Sequence, residues 1–112
     1  MLSQLRAKEE GQFDALAGFL GALADATEDD QTLLDRTMVL YGTCMGSANS
    51  HSNSNLPVLL AGGGFRHGRH LAFDARNNEP LANLYVSMLQ RLGIEAEEFS
   101  TGRGPMRGLE LA

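Results

Sequence analysis

Two short apolar runs set most of what this chain can fold into. Thr37-Met38-Val39-Leu40-Tyr41 closes on Gly42, and Leu56-Pro57-Val58-Leu59-Leu60-Ala61 closes on Gly62-Gly63-Gly64. A strand solvated on one face alternates apolar and polar residues. Continuous runs of this length suit strands buried on both faces, as in a parallel sheet. Pro57 lacks an N–H, so it belongs at the start of its strand. Strands are therefore expected over about 37–42 and 56–61. Between them runs TCMGSANSHSNSN, residues 43–55, small and polar. A loop of that length tends to be functional or mobile.

Helical periodicity flanks these runs. Over residues 4–25, Leu5, Phe13, Leu16, Leu20 and Leu23 keep to one face at spacings of three and four. Gly11, Gly18 and Gly21 either weaken that helix, by roughly 1 kcal/mol each against Ala, or mark the close approach of another backbone. The helix is expected to stop at Thr27-Glu28-Asp29-Asp30, and Thr32 to Asp35 reads as a short helical turn. Over 80–92, Leu81, Leu84, Tyr85, Met88, Leu89 and Leu92 form a continuous stripe. Pro80 suits its first turn, Asn78 its N-cap and Gly93 its C′ position. Short extended segments are expected at 69–73 and 94–98, and residues 99–112 form a turn-rich tail that Leu109 and Leu111 dock.

With 112 residues there is room for one small domain over 1–112. Hydrophobic residues at 43% against 21% charged exclude wholesale disorder and a disulfide scaffold. Strands interleaved with helices predict an α/β domain, a small mainly parallel sheet flanked by helices. Two or three strands are few for such a sheet. The apolar faces therefore call for more cover, from a homo-oligomer or from a missing N-terminal part.

Nine Lys and Arg against fourteen Asp and Glu give a formal charge of -5. Repulsion from phosphate disfavours a nucleic-acid partner. The acids concentrate in residues 1–35, whereas Arg66, Arg69 and Arg76 share a loop with His67 and His70. Cys44 is the only cysteine, so no intrachain disulfide and no CxxC zinc spacing exist. Glu9, Glu10 and Asp14 interrupt any leader-like apolar run, and nothing approaches the ~20 apolar residues of a membrane span. As written the chain is expected to be cytoplasmic, with no membrane partner, unless it is a fragment of a secreted protein.

Three ordered strings carry a resemblance: QTLLDRTMVLYGTCMG from Gln31, NSHSNSNLPVLLAGGGFRHGRHLAFD from Asn49, and EPLANLYVSMLQRLGI from Glu79. From about residue 5 to the end, the chain resembles the C-terminal part of an uncharacterised bacterial family named for a His-x-x-Ser-His-His motif. That family is distantly similar in layout to the alkaline-phosphatase and sulfatase superfamily. There a strand after TLLD-x-T leads into an active-site loop, and an apolar-Pro-apolar-apolar strand and a helix ending Leu-Gly-Ile follow. The resemblance implies the C-terminal part of an alkaline-phosphatase-like fold and a piece of a longer protein. It also implies divalent metal and phosphate- or sulfate-ester hydrolysis in full-length relatives. The His-x-x-Ser-His-His motif is absent, and Cys44-Met45 stands where sulfatase-like enzymes place a metal-binding Asp-His pair. A thiol and a thioether suit soft metals rather than the hard ions of that chemistry.

Within the polar loop, His51 leads the candidate ligand-binding residues, among hydroxyl and amide neighbours that include Asn49. Ligands of open α/β sheets bind beyond the carboxyl ends of strands, and the resembled family also carries a His before Leu-Pro. The opposing reading is an exposed, solvated His. Cys44 is either a small apolar filler at a strand end or part of the same site. Arg66, His67, Arg69 and His70 read as an anion-binding turn or as a plain surface loop. Gly68 argues against the helix on which two His three apart would share a metal. Gly62-Gly63-Gly64 lacks the following helix of a phosphate cradle and marks a tight turn. The chain is thus expected to be a non-catalytic α/β domain that self-associates or packs on a partner. The alternative is a metal-dependent ester-hydrolase-like domain with a site near His51.

Overall fold

The structure, a computed structural model, describes all 112 residues. In chain order it has helix α1 (Leu2–Asp25), strands β1 (Thr27–Glu28), β2 (Gln31–Thr32), β3 (Met38–Gly42) and β4 (Val58–Gly62), and helix α2 (Leu81–Arg91). These divide into two compact units, Met1–Thr37 and Met38–Ala112. No helix is long and apolar enough to cross a membrane.

In the first unit, α1 ends where its periodicity ends. Asp29 and Asp30 take φ of 50° and 64°. A two-residue turn with both central residues left-handed is the hairpin turn that matches strand twist, and Asp tolerates that conformation. It pairs Thr27 with Thr32 and Glu28 with Gln31, antiparallel. The chain then folds back on the helix: Leu33 N–H donates to Ala26 O at 2.8 Å and Leu34 N–H to Leu23 O at 3.1 Å. Thr32 and Asp35 close a reciprocal cap, the hydroxyl donating to Oδ2 at 2.7 Å and accepting from Asp35 N–H at 3.1 Å. A Cβ at Gly11, Gly18 or Gly21 would meet nothing, so no backbone passes close to them. No residue of α1 is buried.

The second unit corrects the expected sheet. β3 and β4 pair antiparallel, Met38 with Gly62 through to Gly42 with Val58, and form a two-stranded sheet. It is neither mainly parallel nor layered between helices, so the alkaline-phosphatase-like architecture does not hold. The reason lies in the connection. A parallel return needs a crossover that covers a sheet face, usually a helix. Residues 43–55 have no apolar face to offer one. They close on themselves instead, with Ser47 and Ser52 paired, and β4 returns beside β3 as a long-looped hairpin. The strands are not buried on both faces either: Leu40 and Leu59 are 37% and 51% exposed.

The apolar core is Phe65, Ala82, Leu84 and Val86, and Val86 alone is fully enclosed. Three of the four lie on α2. Its buried arc is wider than the Leu stripe because the tail covers a second side: Gly102 is buried, and a Cβ there would lie 2.7 Å from Ala82 O. Two buried polar side chains hold that tail. Asn83 Oδ1 accepts from Arg103 N–H at 3.0 Å, and Ser87 Oγ accepts from Met106 N–H at 2.8 Å. Further on, Leu111 pairs with Phe65, and Ala112 N–H donates to Gly64 O at 2.9 Å. The tail is a structural strap.

Smaller expectations also change. Pro80, not Asn78, occupies the N-cap of α2. Asn78 instead donates to Asn55 Oδ1 at 3.2 Å and accepts from Glu79 N–H at 2.9 Å. Residues 69–73 and 94–98 form no strand. Gly93 does end α2 in the left-handed region, at φ 81°.

Candidate functional site

The polar loop and the sheet end meet α2 at a shallow groove of about 450 Å³. Leu40 and Val58 supply its floor from β3 and β4, and Leu81 and Tyr85 its wall from α2. Thr43, Cys44 and Asn53 bring a hydroxyl, a thiol and an amide from the loop. Tyr85 is held edge-on by Phe99, with ring centroids 6.2 Å apart. No imidazole and no carboxylate lines the groove. It therefore offers apolar contact and a few neutral polar groups, with no base to activate the thiol or the hydroxyl.

The loop's shape separates its candidates. Gly46 N–H donates to Ser52 O at 2.8 Å, Met45 N–H to Thr43 Oγ1 at 3.2 Å and Ser54 N–H to Ser52 Oγ at 3.2 Å. His51 sits between the paired Ser47 and Ser52, in the left-handed region at φ 50°, and is exposed. Asn49 is exposed in the same turn. Neither lines the groove that holds Cys44, which is itself exposed. The structure brings Cys44 to Asn53 and Tyr85, and not to His51 or Asn49.

The basic loop is already engaged by the tail. Glu110 Oε2 accepts from Arg69 at 2.9 Å and from Arg66 at 3.4 Å, and Arg66 N–H donates to Glu110 O at 2.8 Å. His67 Nε2 lies 2.8 Å from Gly62 O, closing the glycine turn. His70 is exposed. The Glu110 carboxylate occupies the place between the two arginines where an anion would sit and offsets one of their two charges. Nowhere do three His, Cys, Asp or Glu side chains converge as metal ligands would. The residues present therefore do not fit the divalent ion that the resemblance attaches to longer relatives.

The densest polar constellation joins α2 to the tail. Arg107 donates to Glu79 Oε2 through Nε at 3.0 Å and Nη2 at 2.7 Å, while Asn83 Nδ2 donates to Oε1 at 3.0 Å. The Arg107 hydrogen bonds hold the Glu79 carboxyl below its usual range against an opposing burial effect, and Asn83 adds to them. Arg107 is pushed up in turn by Glu79. Its guanidinium also stands 5.9 Å from the centroid of the Phe73 ring. Both Glu79 carboxylate oxygens and the Asn83 amide are taken up by other protein groups, which is the mark of a clasp rather than a site. Sequence reasoning missed it, although Glu79, Asn83 and Ser87 recur every four residues beside an apolar stripe.

No family model, curated protein or solved structure matches the chain.

Proposed function

We propose that this chain is a non-catalytic domain that works by association, and that it self-associates. One observation carries the reading: α1 runs for 24 residues without one buried residue while bearing Leu5 and Phe19, each 52% exposed. In proteins, helices owe most of their stability to the packing of an apolar face. The core of four apolar residues and the two-stranded hairpin leave little other cover. On this reading the resemblance to the His-x-x-Ser-His-His family concerns a non-catalytic part of those longer proteins.

Sedimentation equilibrium across micromolar concentrations tests it, with a concentration-dependent mass above that of one chain expected. A strict monomer throughout refutes it. In parallel, generic phosphate and sulfate esters with added divalent metal are expected to show no turnover. Turnover that disappears in His51→Ala would replace this reading with hydrolysis.

A further inference from the structure

We propose that two copies of this chain join through an antiparallel pairing of their α1 helices; the proposal rests on the self-association reading above. Leu2, Leu5, Glu9, Gln12, Leu16, Phe19 and Leu23 step by three and four residues along the whole helix. That is the spacing of a two-helix seam, where alternate three- and four-residue steps keep one stripe against the partner. Leu2 is 82% exposed, and the 24 residues extend about 36 Å, ample for such a seam.

Charge decides the direction. The N-terminal part of α1 balances Arg6 and Lys8 against Glu9 and Glu10, with Arg6 bound to Glu10 at 2.7 Å, while Asp25, Glu28, Asp29 and Asp30 crowd its C-terminal end. Arg36 engages Glu28 and Asp29, at 2.8 and 3.5 Å, but Lys8, Asp25 and Asp30 form no ion pair within the chain. A parallel pair would set Glu9 against Glu9 in the seam and gather both acidic ends together. The antiparallel pair keeps the two acidic ends apart, sets each neutral end with its free Lys8 toward the partner's acidic end, and opposes the two helix dipoles. A register that centres the two helices on each other places Leu2 opposite Leu23 and Glu9 opposite Leu16. The two-fold axis then falls between Gln12 and Phe13, where two Gln12 amides can hydrogen-bond. The Glu9 side chains are then offset by about 10 Å along the axis, from the 1.5 Å rise per residue.

Pulsed electron paramagnetic resonance on the full chain tests this. A nitroxide on Ala24→Cys, in a Cys44→Ser background, reports the distance between the two copies. In the antiparallel pair the labels stand about 35 Å apart along the axis. In a parallel pair they are neighbours, under about 20 Å, little more than two helix diameters. Sedimentation of the same samples gives the oligomeric state independently. The double variant Leu5→Glu, Phe19→Glu is expected to weaken association by about tenfold or more, the loss of two seam anchors. Ala7→Glu, on the opposite face, leaves it unchanged, and circular dichroism verifies that α1 persists in each variant. A dimer with the short distance overturns the antiparallel pairing and leaves self-association standing. A dimer indifferent to the seam variants places the interface elsewhere and overturns it as well. A monomer in every sample removes the underlying reading.

Discussion

Replacing Asn83 by Ala tests whether the tail is a strap that α2 holds through a buried amide. Asn83 is 8% exposed and serves two partners, accepting from Arg103 N–H at 3.0 Å and donating to Glu79 Oε1 at 3.0 Å. The substitution strips a part-buried N–H of its acceptor, which costs about 1–3 kcal/mol. Losing the donor to Glu79 adds less, up to about 1 kcal/mol, because Arg107 still satisfies that carboxylate. A total near 3 kcal/mol is expected, or a fall in Tm of about 10–20 °C for a unit of this size. Urea unfolding followed by tyrosine emission reads the second unit, since Tyr41 and Tyr85 both lie in it. The midpoint should drop with the m-value unchanged. Asn83→Asp keeps the acceptor but sets a second carboxylate beside Glu79, so its loss should shrink as pH falls through the carboxylate range. A change under about 0.5 kcal/mol in Asn83→Ala, the level of an ordinary surface substitution, would refute the strap.

Val86→Ala removes atoms from the one fully enclosed side chain and should cost about 2 kcal/mol by the same unfolding assay, because the cavity cannot collapse onto solvent. Gly102→Ala should destabilise by about 1–3 kcal/mol, since its Cβ would press on the backbone of α2 at Ala82, which cannot rotate away. Glu79 has a depressed carboxyl, so its contribution is present above the unfolded-state pKa and is lost as pH drops through the lower folded-state value. Wild-type stability should therefore decline on acidification below the ordinary carboxylate range, and Glu79→Gln should flatten that part of a pH series of melting curves.

Local order was legible where one residue pattern decides it. The Leu81 to Leu89 stripe reports α2 because a 3.6-residue period has one structural meaning. Gly93 likewise reports its end because few other residues accept φ 81°. Pairing was not legible. Met38 to Tyr41 and Val58 to Ala61 read as strands, but a continuous apolar run does not encode which neighbour it takes or in which direction. That information lies in the connection, where residues 43–55 lack an apolar face. The same gap explains the sites. Cys44 and Asn53 meet at the groove and His51 does not, since a left-handed residue at the loop tip redirects the chain, and no spacing rule announces it. Asn83 and Ser87 are polar residues that read as solvated until a tail more than fifteen residues away arrives to cover them.

The length of the tail's ties has a consequence for the order of events in folding. Ser87 to Met106 and Asn83 to Arg103 span 19 and 20 residues, and Arg66 and Arg69 reach Glu110 across 44 and 41. α1 rests on bonds between residues four apart. Helical turns form in about a microsecond or less, whereas closures over long stretches of chain slow a domain's folding. The first unit therefore presents the exposed apolar side chains of α1 while the second is still open. Under the proposed pairing, encounter between two nascent chains through α1 would precede completion of the hairpin and its strap, and assembly and folding would overlap in time.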